Sequence, residues 1–108
     1  MQKWESGFEF YNTASLTERV EDELWSEADR RLRALIDGHT DITGASVAVR
    51  ELTGDETPHL YQVRVSVYMR PEDVVVIEKQ ETVVGALKGA LDTVERQVRE
   101  TRAKLRDH

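Results

Sequence analysis

At 108 residues with 39% apolar composition, the chain has material for one hydrophobic core and not two, so residues 1–108 are expected to form a single domain. The absence of cysteine excludes disulfides, thiolate metal sites and cysteine nucleophiles, and suits a reducing cytoplasm. A net charge of −6 argues against a general nucleic-acid binder, but residues 88–108 hold six Lys/Arg against four Asp/Glu and residues 1–87 hold nine against seventeen, so one end of the molecule alone can face RNA.

In chain order, Phe8 and Phe10 alternate with Gly7 and Glu9, the period of a short strand with one buried face. Ser15 is placed as the N-cap of a helix starting near Leu16, with Glu18 in capping-box position. Val20, Leu24, Ala28, Leu32 and Leu35 make its buried stripe, and Gly38 is its stop. Arg30, Arg31 and Arg33 are expected to crowd its dipole-favoured end, with Trp25 as a lid on the core. A turn follows over Gly38–Gly44, then a half-buried strand over Ala45–Leu52 and a polar loop over Thr53–Pro58.

The clearest strand is Leu60–Tyr68, with Tyr61, Val63, Val65 and Val67 on one side and Gln62, Arg64, Ser66 and Tyr68 on the other. Arg70 to Asp73 is a turn, and Val74–Lys79 is a fourth strand, apolar on both sides, which implies cover beyond the helices. The run 74–77 is the longest apolar one and far too short to cross a bilayer. With no recognisable leader, a soluble cytoplasmic protein without a membrane partner is expected.

The last quarter, Thr82–Asp107, places Val84, Leu87, Leu91, Val94, Val98 and Leu105 on one helix face. Lys88, Arg99, Arg102 and Arg106 border that stripe, and Arg96 lies further round. Gly85 and Gly89 keep the first half thin enough for close packing on the sheet. The expected fold is therefore α+β, a two-layer β-α-β-β-β-α domain whose four-stranded sheet carries both helices on one face.

No catalytic constellation stands out. His39, His59 and His108 lack metal-ligand spacing, the serines lack a nucleophile-elbow setting, and the acids fall on solvated faces or in loops. The residues point to a non-enzymatic module with no metal, cofactor or small-molecule substrate. The alternatives left open are an RNA-gripping helix end and an assembly module that self-associates weakly through its open sheet face.

Ala86-Leu87, Ala90-Leu91-Asp92 and Val94-Glu95-Arg96-Gln97-Val98 resemble the Ala-Ile/Leu spacing and Leu-Glu-Arg-Gln-Leu signature of the ribosome hibernation promoting factor and ribosome-associated inhibitor family. Leu24–Leu35, a helix ending in basic residues interleaved with leucines, is similar as well. The resemblance runs from Phe8 to about Arg106. It implies a stress-response translation inhibitor that binds ribosomal RNA in the small-subunit mRNA/tRNA channel and acts by occlusion. Its RNA-binding residues would be Arg30, Arg31 and Arg33 on one helix and Arg96, Arg99 and Arg102 on the other, extended by Lys88, Lys104 and Arg106. Three features depart from the family pattern. Thr82-Val83-Val84 replaces its Asp-Leu/Met-Tyr helix start, the chain is more acidic, and with no tail domain after His108 it resembles a short form.

Overall fold

The computed structural model describes residues 8–38, 41–54 and 57–106, and their side chains except those of 53–59 and 105–106. Six elements follow in the order β1 (Phe8–Asn12), α1 (Glu18–Gly38), β2 (Ile42–Gly54), β3 (Thr57–Met69), β4 (Val74–Gln80) and α2 (Val83–Arg106). The four strands form one mixed sheet in the order β1-β2-β3-β4, parallel between β1 and β2 and antiparallel elsewhere. This is the expected α+β architecture, with both helices covering one face.

Register explains why that face is apolar. Phe10, Val47, Val65 and Val76 line up across all four strands, and Phe8, Ala45, Val67 and Val74 form the neighbouring row. All eight are buried. Leu24, Ala28 and Leu32 of α1 and Leu87, Ala90, Leu91, Val94 and Val98 of α2 close over them. Trp25 stacks on Phe8 at 6.1 Å between ring centroids, the lid position expected of it.

Gly85 and Gly89 have a specific use here. A Cβ on Gly85 would stand 2.6 Å from Gln80 Oε1 and 2.7 Å from Thr82 Oγ1, and one on Gly89 would crowd the Glu78 side chain. The β4 side chains therefore lie directly over the glycine surface of α2.

Three local expectations are corrected. The cap of α1 is Thr17, whose Oγ1 accepts from Val20 N at 3.2 Å, and not Ser15, whose N–H donates to Glu51 Oε1 at 3.4 Å. The reason lies upstream: Thr13 donates both its N–H and its hydroxyl to the Val49 carbonyl, holding the chain extended past the end of β1. Secondly, α1 ends at Gly38 as expected, but its last turn contains no basic residue, so Arg30, Arg31 and Arg33 stop short of the dipole end.

The loop expected over Thr53–Pro58 is instead mostly strand. Cross-strand pairing persists to Gly54 and Thr57 after a register shift at Leu52/Gly54, and residues 55 and 56 lie outside the described residues. The outer side of β4 lies away from the helices, as its second apolar side implied, with Val75 and Ile77 51% and 55% exposed.

Candidate nucleic-acid interface

Parallel packing of α1 and α2 sets the geometry of the predicted cations. Both helices follow strands that run the same way, and contacts advance together along them. Residues 19–30 face 84–88 across a groove of about 500 Å³, and Arg31, Ala34 and Leu35 face Glu95 and Arg99 across a smaller one. The two sequence-distant arginine groups are thus brought to the two sides of a single seam.

Within that seam the cations divide by what they touch. Arg31 is 14% exposed and bridges the helices, donating Nε–H to Glu95 Oε1 at 3.0 Å and Nη2–H to Glu95 Oε2 at 2.9 Å and Asp92 Oδ1 at 2.5 Å. Hydrogen bonding with Glu95, reinforced by Asp92, holds its pKa above the ordinary guanidinium value. Such a fork-on-carboxylate contact fixes helix spacing as well as charge. Arg102 is similarly engaged, ion-paired with Asp41 beside the start of β2.

The remaining predicted residues point outward. Arg30 is 70% exposed on its side chain and pairs within its helix with Glu27 at 2.8 Å. Arg33 pairs with Asp29 at 3.1 Å, and Arg96 approaches Glu100 only to 3.8 Å. Exposed i,i+3 and i,i+4 pairs of this kind contribute little stability and are readily exchanged for another anion. Lys88, Arg99 and Lys104 are exposed and make no ion pair among the described residues. The side chain of Arg106, and those of His39, His59 and His108, lie outside the described residues.

Sequence reasoning missed the internal counterions Glu27, Asp92 and Glu95, and also Arg19, which lines the larger groove beside Arg30 and Lys88. The i,i+4 spacing of Glu27 and Arg31 was a signal for the first; no linear signal joins Arg31 to residues 61 and 64 positions away. Because Arg31 is mostly enclosed, Arg31→Met is expected to cost about 1–2 kcal/mol by removing charge-assisted bonds from half-exposed partners, measured as a lowered urea midpoint. An unchanged midpoint would mean the helices hold their spacing by apolar packing alone.

Among the described residues no group of three or more His, Cys, Asp or Glu could hold a metal ion, and no helix is long and apolar enough to cross a membrane.

The architecture is therefore that of a two-layer α+β domain displaying outward arginines and lysines along a parallel helix pair. A family model described as "Sigma 54 modulation protein / S30EA ribosomal protein" matches residues 6–106. The chain belongs to this family, that of the hibernation promoting factors. No curated protein matches it at a significant level.

Among solved structures, it is similar to the N-terminal domain of Protein Y from Thermus thermophilus, with TM-score 0.58 and 16% identity over 85% of this chain and 93% of that one. It is also similar to a ribosomal subunit interface protein from Coxiella burnetii, with TM-score 0.60 and 8% identity over 89% and 97%. At these identities the likeness is one of fold.

Proposed function

We propose that this chain is a cytoplasmic, non-enzymatic ribosome-associated factor that binds small-subunit ribosomal RNA in the mRNA/tRNA channel and blocks translation by occlusion. Family membership supports the ribosome as partner, as does the description of the Coxiella neighbour as a ribosomal subunit interface protein. The observation that carries the reading at residue level is the outward set along the helix pair. Arg99, Lys88 and Lys104 lack ion-pair partners among the described residues, and Arg30, Arg33 and Arg96 make exposed intrahelical pairs. In this reading Arg31 and Arg102 position the helices and the outward cations meet phosphate. Contacts of this kind recognise backbone and shape, not base sequence.

The test is cosedimentation with ribosomes over a salt series, against bulk RNA. Four to six phosphate contacts give a log–log slope of roughly −3 to −5. Saturable ribosome binding with that slope is expected, and no binding at low salt would remove the reading.

A further inference from the structure

The sheet face turned away from the helices carries a second group of cations. Strand pairing sets Gln62 of β3 directly between Arg50 of β2 and Lys79 of β4, with Arg64 two residues along β3 on the same face. Side chains opposite one another in such a ladder stand about 5 Å apart at Cβ, so three cations surround one amide. All three are exposed, and none has an ion-pair partner among the described residues. In the paired strands, Glu9 is the one carboxylate that the described residues place on this face, and its Oε2 accepts the Tyr11 hydroxyl proton. A −6 chain has thus collected uncompensated positive charge on its sheet.

Next to the cations the surface dips. Register aligns Tyr11, Ala48, Arg64 and Ile77 in one row, and only the Ala48 methyl stands between the aromatic ring and the guanidinium. The result is a depression of about 240 Å³ with Ala48 as floor, Tyr11 and Thr13 on one wall and Arg50, Gln62 and Arg64 on the other. Tyr11 is 42% exposed, and the row continues beyond Arg64 to the half-exposed Ile77.

We infer that this open sheet face is a second, independent binding surface for single-stranded RNA. Arg50, Arg64 and Lys79 take consecutive phosphates, and Tyr11 takes an unstacked base over the Ala48 floor. Guanidinium forks match phosphate oxygens in pairs, and an aromatic platform beside a cationic track is how single strands are held without sequence preference. A duplex keeps its base faces stacked and leaves the ring unused. A second copy of the chain is a poorer occupant, because face-to-face stacking would bring uncompensated cations against each other. The backbone of the domain is only 16 Å through its shortest axis, so a molecule cationic on both faces is able to lie between two RNA segments.

The assay is fluorescence anisotropy of a labelled oligouridylate in 50 mM salt, using the full chain and no ribosomes, so its outcome is separable from the cosedimentation result. Binding is expected with a log–log salt slope of about −2, from three contacts at about −0.7 each. R50E/R64E should weaken it about 60-fold, since each contact is worth about 8-fold at this salt. Tyr11→Ala should weaken it about 10-fold while Tyr11→Phe, which keeps the ring, stays within about twofold. R96E/R99E/K104E, on the other face, should weaken it less than R50E/R64E does and leave the Tyr11→Ala effect in place.

Three results overturn the inference. The first is no binding by the native chain. The second is retention of binding by folded R50E/R64E, the fold being checked by circular dichroism, or a loss in R96E/R99E/K104E as large as that in R50E/R64E. The third is a dimer in light scattering that Ile77→Glu dissolves and that excludes the oligonucleotide.

Discussion

Reversing Arg96, Arg99 and Lys104 to glutamate is expected to lower ribosome affinity by about 500-fold at 0.1 M salt while leaving the domain folded. The magnitude follows from counterion release. At a slope of about −0.9 per phosphate, each contact contributes roughly 8-fold at that salt, and three contacts multiply. The slope itself should become shallower by about 3.

These positions are chosen because the structure gives them little to do for the fold. Arg99 and Lys104 have no ion-pair partner among the described residues, and the Arg96–Glu100 pair is long and exposed on both sides. Arg31 and Arg102 are left in place, since reversing either would set a carboxylate against Asp92 and Glu95 or against Asp41. Cosedimentation of the triple variant at native affinity would take RNA contact away from the end of α2.

Leu91→Ala is expected to destabilise the domain by about 3 kcal/mol, within the usual range for a buried leucine whose site cannot collapse. Leu91 is completely enclosed in the core cluster that the valine rows of the sheet form with the apolar faces of both helices. For a domain of this size the melting temperature should fall by roughly 10–20 °C, measured by differential scanning calorimetry. A fall of only a few degrees would show that the interior repacks freely.

The two variants separate surface from core. The first should lose binding at unchanged melting temperature. The second should lose stability, yet bind ribosomes normally below its transition.

Much of this molecule was legible in the linear chain because the interactions concerned are periodic. Alternation of Val63, Val65 and Val67 with Gln62, Arg64 and Ser66 assigned both faces of β3, and the spacing of Leu87, Leu91, Val94 and Val98 assigned the buried face of α2. Those patterns, with the chain order of the elements, were enough for the two-layer architecture, while the family rested on the motif resemblance of Ala86–Val98 and Leu24–Leu35. Helix and strand limits were less so. The start of α1 depends on Thr13 bonding to Val49, thirty-six residues away, and the length of the β2–β3 hairpin depends on pairing that outlasts a Pro- and Gly-containing segment.

The interface was legible only as a set of candidates. Sequence placed Arg30, Arg31 and Arg33 in one group and Arg96, Arg99 and Arg102 in another, without distinguishing members within a group. Tertiary packing made that distinction, by setting Asp92 and Glu95 against Arg31 and Asp41 against Arg102 while leaving Arg99 unpaired among the described residues. The same holds for the sheet, where alternation puts Arg50 and Arg64 on the outer side but only register gathers them with Lys79 around Gln62. Burial of apolar side chains follows local period, so the sequence by itself determined the layers. Which charges are neutralised within the protein depends on distances between residues far apart in the chain, and the tertiary structure alone decided it.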